Sequence, residues 1–393
     1  MRQVLLSYAA LVLLRSSLAA SVQQDVNLAL GQIGHGKTRD WLKKNPSFFS
    51  GIFNTSLGAI TFASPSDKAW ASIDPTKLNA TFFGDTLLPL HVIRTNVTAI
   101  QQDGAAIYRT SLLPPATFSL NLGTGIPSPI IINKTGDTTF AAPQPVSGAQ
   151  VNVWPTDHTT KDSISIYSVD QWFDVPQDIV TTINQPTVKG SSFATLLATA
   201  SPSGSLVADI QDAEALTVFA PSDASLASIQ KELASQPDGA LQAIIRNHII
   251  NGTTLYSTQL VDQMKAVSAA GTAMLFISNS SGTFVAAGGA PAVKIIKTDF
   301  FAANGVVHVL DGLLKATSTT DETTAAAAHE AYLAFTNSGQ LSAAGAIDVH
   351  TPTGLSSFKA PASTPTSKPP TPTAGAAQLR PLFFLALPAM AML

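Results

Sequence analysis

Seven histidines are the side chains of this chain best suited to proton transfer or metal binding: His35, His91, His158, His248, His308, His329 and His350. A metal site wants several ligands converging, usually announced by a spacing such as His-x-x-x-His. No two of the seven stand at that spacing. His248 continues an apolar stripe of Leu241, Ile244 and Ile245 at helical intervals, and His308 sits inside the strand-like run VVHVL. A lone histidine on an apolar face reads as a hydrogen-bonded core residue. Serine is abundant, yet no G-x-S-x-G elbow occurs. The run GTGIP at Gly123 lacks the strand–helix setting of a nucleotide loop. A glycosidase would need two carboxylates across a cleft, and no pair is indicated. The residues therefore give no catalytic centre, no metal site and no call for a cofactor.

Two phrases position the remaining polar residues. TFASPSD runs from Thr61 to Asp67, and TVFAPSD from Thr217 to Asp223. Each reads as a short β-strand ended by proline, which has no N–H for the ladder, then a helix start. Ser66, Asp67, Ser222 and Asp223 all suit an N-cap, and the two aspartates are expected to cap the helices they open. Leu226, Ile229 and Leu233 carry the second helix, with Trp70 and Ile73 their counterparts in the first. Phe193, Leu196, Leu197 and Ala200 mark another helix upstream. After the His248 segment come strand-like runs AMLFIS, TFVAA, AVKII and VVHVL, with an Asn304-Gly305 turn before the last. The first half repeats this loosely. Trp41, Phe48, Phe49, Ile52 and Phe53 suggest helices. Phe83, Leu87 and His91 share a helical face that Pro89 must kink or end. PIIIN and SISIYSVDQWFDV read as strands. Helices first and strands last give an α+β chain with mostly antiparallel sheets.

The length of 393 residues suggests two domains plus tails, at a prior of about 150 residues each. Hydrophobic residues make up 45%, enough for real cores, whereas charged residues are 12% and the net charge is −3. No Lys/Arg cluster stands out, which argues against a nucleic-acid partner. Residues 1–19 read as a secretory signal: Arg2, the apolar run Val4 to Leu14, then Ser17-Leu18-Ala19 as a cleavage pattern. Six Asn-x-Ser/Thr sequons follow, at Asn54, Asn79, Asn96, Asn133, Asn251 and Asn279. Residues 317–375 form a Ser/Thr/Pro-rich linker and stalk, exemplified by APASTPTSKPPTPT. The end, PLFFLALPAMAML, is apolar but short for a span. Small residues ahead of it fit a glycolipid-anchor signal over 376–393, with Ala374 or Gly375 as attachment site. No cysteine is present, which excludes disulfides and thiol chemistry.

The second repeat resembles the fasciclin (FAS1) family. TVFAPSDASLASI is similar to that family's first box, IRNHIINGT to its central histidine segment, and DFFAANGVVHVLDGLL to its second box. The matching positions are Asp223, His248, Asn304, Gly305, His308 and Asp311. The first repeat is degenerate. It keeps Asp67 and His91, but Tyr167 stands in place of the box-two histidine when Asp170 is aligned with Asp311. The resemblance implies two tandem domains, 22–176 and 177–316, each a β-sandwich or wedge with helices around it. It implies adhesion or wall and matrix organisation at the cell surface, through proteins or wall glycans and without catalysis. It places candidate partner contacts at Asp299, Phe300 and Phe301, although adjacent phenylalanines favour a core position. The alternative is a surface hydrolase or small-ligand binder with a pocket between the domains.

Overall fold

The computed structural model describes residues 21–315, apart from 48–51, 54–57, 74–78, 98–103, 114–119, 124, 142–143, 149–150, 161–162, 201–204 and 237. The expected signal, stalk and anchor segments, Asn54, Ala374 and Gly375 lie outside the described residues.

Domain 1 opens with helices α1 (residues 21–32) and α2 (Gly36–Lys44). Strand β1 (Ile60–Pro65), helix α3 (Asp67–Ala71), helix α4 (residues 80–90) and β2 (Val92–Ile93) follow. Then come β3 (Gly104–Arg109), β4 (Pro129–Thr135), β5 (Thr138–Ala141), β6 (Val153–Thr159) and β7 (Ile164–Val169). Pro89 lies within the last turn of α4, after a π-helical turn at Phe83–Leu87, and the helix stops at His91.

Domain 2 begins with α5 (Ile179–Ile183), α6 (Ser191–Ala200) and α7 (Ser205–Asp212). It continues with β8 (Leu216–Pro221), α8 (Asp223–Ala234), α9 (Asp238–Arg246) and β9 (Ile249–Ile250). It closes with β10 (Lys265–Val267), β11 (Ala273–Asn279), β12 (Gly282–Ala287), β13 (Val293–Ala302) and β14 (Gly305–Leu310).

The two halves have one topology. In domain 2 the strand order is β10-β11-β12-β13-β14-β8-β9, antiparallel throughout except for the parallel pair β14–β8. In domain 1 the set β3-β4-β5 meets β6-β7-β1-β2 through a Phe140–Asn152 bridge, and β7–β1 is again the parallel pair. Matching parallel registers set Ile60 against Ile164 and Leu216 against Gly305, ending on Pro65 and Pro221. Register shifts around Lys297 bend β13, as extra residues in a ladder do, so the sheet folds back on itself.

Both faces of each central pair are therefore covered, which is why β1, β8 and β14 are buried along their whole length. In domain 2, Leu216, Val218, Ala220, Val307 and Val309 face the helices, in a core with Phe193, Leu197 and Ile245. The alternate residues Phe219 and Leu310 face the inner layer with Met274, Phe276 and Val285. In domain 1, Phe62, Ile164 and Ile166 face the helices, while Ala63, Tyr167 and Val169 face Ile130, Ile132 and Val153. Each such side chain contributes about 1.5–3 kcal/mol by burial.

Candidate functional site

The family-like residues of both domains gather around the parallel strand pair. Thr61 and Thr217 open the two phrases. Each hydroxyl donates to a loop carbonyl, Thr95 at 2.8 Å and Thr253 at 2.7 Å, and accepts a loop N–H, from Val97 at 2.9 Å and Leu255 at 2.8 Å. One side chain thus fastens the strand to the segment after its short partner strand, the same way twice.

The serines of the phrases are the N-caps. Ser66 accepts from the Ala69 N–H and Ser222 from the Ser225 N–H. This corrects the expectation for Asp67 and Asp223. Each is the first residue of its helix and turns to a neighbouring one instead. Asp67 accepts the Lys37 N–H of α2 at 2.9 Å, and Asp223 accepts the Ser192 N–H of α6 at 2.7 Å. A carboxylate is favourable at both helix N-termini, where free N–H groups and the helix dipole converge.

His91 and His248 are fully buried clamps. Each Nδ1–H donates to a carbonyl: Ala63 at 2.9 Å and Ile244 at 2.8 Å. Each Nε2 accepts a backbone N–H from the segment after the last strand: Phe173 at 3.2 Å and Leu314 at 2.9 Å. His91 also stacks on Phe173 with ring centroids 4.3 Å apart. Burial pushes the His91 pKa down to about 3 and that of His248 to about 4. Both rings are neutral, and their hydrogen bonds fix the tautomer.

His308 is closed in the same manner. Its Nε2–H donates to Leu255 at 2.7 Å, and its Nδ1 accepts the Asp299 N–H at 3.3 Å. Burial lowers its pKa, the Asp299 carboxylate opposing. It stacks on Phe219, which pairs with it in register. In domain 1 the equivalent pair is Tyr167 and Ala63: the larger ring faces the smaller neighbour.

Asp170 and Asp311 both hold the adjacent strand. Asp170 accepts from Asn152, and Asp311 accepts the Lys294 N–H at 3.0 Å. Asn304 is a hub. Its Oδ1 accepts the Ile179 N–H at 3.1 Å, and its amide donates to Ile210, Gln211 and Ala213 carbonyls at 2.8–3.2 Å. Gly305 is required by close approach, since a Cβ there would lie 2.1 Å from the Leu216 oxygen.

The candidate partner contacts are buried, which corrects their placement on a surface. Phe300 is in the helix-side core of domain 2, and Asp299 accepts the Ser257 N–H at 2.8 Å. Phe301 joins Tyr256 and Val306 against Ile107 and Ile131 of domain 1. Two adjacent phenylalanines on a strand point to opposite faces, and here both faces are occupied. The domains meet elsewhere too: Asn121 donates from its backbone to Ala303 at 2.7 Å, and Thr187 donates its hydroxyl to Pro145. Both belong to a single compact unit.

One polar cluster was missed in the sequence. His35 is buried, with Nδ1 2.7 Å from the Ser64 hydroxyl and Nε2 3.0 Å from that of Ser168. Burial lowers its pKa and the Asp67 carboxylate partly restores it. The signal was present: Ser64 replaces Ala220 of the other phrase and Ser168 replaces Val309, two hydroxyls at inward positions that demand a polar partner. Of the sequons, Asn79, Asn96 and Asn279 are exposed, while Asn133 and Asn251 are half-buried. Among the described residues no group of three or more His, Asp or Glu could hold a metal ion.

These features define an α+β scaffold whose motif residues fasten backbone rather than face a substrate. Residues 190–316 match the sequence model of the fasciclin domain. The chain is a fasciclin-family protein through that second domain. A solved FAS1 domain pair from the insect cell adhesion molecule fasciclin I is similar at 14% identity, over 75% of this chain and 99% of that one, with a TM-score of 0.33. So loose a superposition decides nothing about domain 1, whose kinship rests on the strand order and clamps shared within this chain. A search of curated proteins gave no match.

Proposed function

We infer that this is a non-catalytic surface glycoprotein acting in adhesion or in wall and matrix organisation. The observation that carries the reading is the fasciclin match at 190–316, a domain type found in cell-adhesion proteins. The two domains pack as one unit, which suits a rigid spacer-mounted module. The signal-like start, the stalk and the anchor-like end support export and attachment by a glycolipid, and the exposed sequons support N-glycosylation. No helix among the described residues is long and apolar enough to cross a membrane. The partners in this reading are surface or matrix proteins or wall glycans.

The hydrolase alternative drew on His248 and His308. Both rings spend both nitrogens on backbone groups in the interior, so neither is available as a general base in this fold.

Phosphatidylinositol-specific phospholipase should release the protein from intact cells, and endoglycosidase should lower its apparent mass. Retention on the cell with the C-terminal peptide still present by mass spectrometry would sink the anchor. Capture of neither surface proteins nor wall polysaccharides by the secreted ectodomain would sink the adhesion role.

A further inference from the structure

A groove of about 680 Å³ lies along α1 and α2 of domain 1. That volume is within the range of small-molecule and oligomer sites. Helix α1 turns Val22, Val26, Ala29 and Leu30 inward to the core. Its other face brings the carboxamides of Gln23, Gln24, Asn27 and Gln32 to the groove. A carboxamide both donates and accepts, which is the property that matches a sugar hydroxyl. The Asn27 Oδ1 is buried and has no hydrogen-bond partner in the protein. A buried acceptor left so costs about 1–3 kcal/mol, and a hydroxyl proton would satisfy it.

The charges in the lining point to a neutral ligand. Arg39 is engaged with Asp40 at 2.9 Å, leaving Asp25 and Lys43 to balance each other. A phosphate or sulfate would need an excess of cations. Leu28, 62% exposed, offers the apolar contact that the C–H face of a sugar ring requires. Gly31 opens the floor: a Cβ there would lie 3.3 Å from the Arg39 guanidinium. Domain 2 has no counterpart, because its α5 spans only five residues.

We propose that this α1–α2 groove is a binding site for a neutral glycan chain, with Asn27 and the three glutamines as its hydrogen-bonding residues. The site deepens the surface-organisation reading and rests on it: domain 1 becomes the glycan-holding half.

The test is calorimetric titration of the secreted, full-length protein with three probes: hexamers of β-1,3-linked glucose, of β-1,4-linked N-acetylglucosamine and of α-1,6-linked mannose. One of them should bind with submillimolar Kd. Gln23→Ala/Asn27→Leu/Gln32→Ala should raise that Kd at least tenfold. Its melting temperature should hold or rise, because the unpaired acceptor is gone. A milder pair on exposed positions, Gln24→Ala/Gln32→Ala, should weaken binding about threefold and guards against a folding defect in the triple variant. Binding of none of the probes at millimolar concentration overturns the site. Unchanged binding by both variants overturns it too, yet leaves glycan binding elsewhere on the protein intact. Loss of surface-protein and wall-polysaccharide capture alike is a separate failure, that of the broader reading.

Discussion

Domain 1 and domain 2 share their fastenings and differ in their fillings. Thr61 and Thr217, Ser66 and Ser222, Asp67 and Asp223, His91 and His248 each make the same backbone hydrogen bonds in both halves. The positions that differ are side chains that meet one another. Phe219 against His308 becomes Ala63 against Tyr167. Gly190, Ala220 and Val309 become His35, Ser64 and Ser168, a hydrogen-bonded cluster. A backbone clamp has one chemical solution at a given geometry. A packed pair has several of equal volume, provided both members change together.

The clamps should govern acid stability, and this is the largest effect expected. The unfolded histidines take up protons below about pH 6.5, whereas the folded His91 and His248 resist until about pH 3 and 4. Between those limits the unfolded state binds more protons, so stability falls as pH falls. It is fully present above about pH 6.5. At about 1.4 kcal/mol per pH unit, each histidine should withdraw roughly 3–5 kcal/mol across that window. Protonation would also place a donor at Nε2 against the N–H of Phe173 or Leu314. Urea midpoints measured from pH 7 down to pH 4 check this; a flat profile would show that the rings titrate freely and are not clamps.

Next in size is the packed pair. Phe219→Ala should cost about 3–5 kcal/mol, as truncation of a buried aromatic does. Adding His308→Tyr rebuilds the pairing of domain 1 and should recover about 1–2 kcal/mol of that. A double-mutant cycle on chemical unfolding reads the coupling directly. Additive effects would mean that Ala63 and Tyr167 are not compensating for each other.

Asn304 has no equal in domain 1, where Ser163 holds the corresponding position before β7. Asn304→Ala should cost about 2–4 kcal/mol, since it strips one N–H and three carbonyls of their partner in the interior. Ser163→Gly should change stability by less than about 1 kcal/mol, because its φ of 62° suits glycine. Thermal melts of the two variants side by side decide whether the hub belongs to domain 2 alone.

How much of this was legible in the sequence depends on distance along the chain. The strand, proline and cap of each phrase were legible because they are local, and the stripe Leu241, Ile244 and Ile245 announced α9. The partners of the aspartates were not, because Lys37 and Ser192 lie some thirty residues upstream. Helix α1 carries apolar Val22, Val26, Ala29 and Leu30 at helical spacing, yet it follows directly on the signal-like segment and was overlooked. Strand β6, with Pro155, Asp157 and His158, has no alternating pattern; its pairing with β7 is broken between Pro155 and Thr159, and Trp154 is exposed. The groove was illegible for a different reason: glutamines on a helix face look like solvated surface until a second helix is set beside them.

The smallest effect concerns His35. Its two partners are hydroxyls, which can donate or accept, whereas those of His91, His248 and His308 are backbone groups with fixed roles. Ser64→Ala removes one partner and leaves Nδ1 buried and unpaired, at a cost of about 1–2 kcal/mol. Replacing the whole cluster by its domain 2 equivalents, His35→Gly, Ser64→Ala and Ser168→Val, should cost less than that single change, because no polar atom is then left behind. Chemical denaturation of the single and triple variants separates the two accounts. A triple variant weaker than Ser64→Ala would mean that the cluster is not an exchangeable filling, and that domain 1 needs His35 to tie the α1–α2 corner to both central strands.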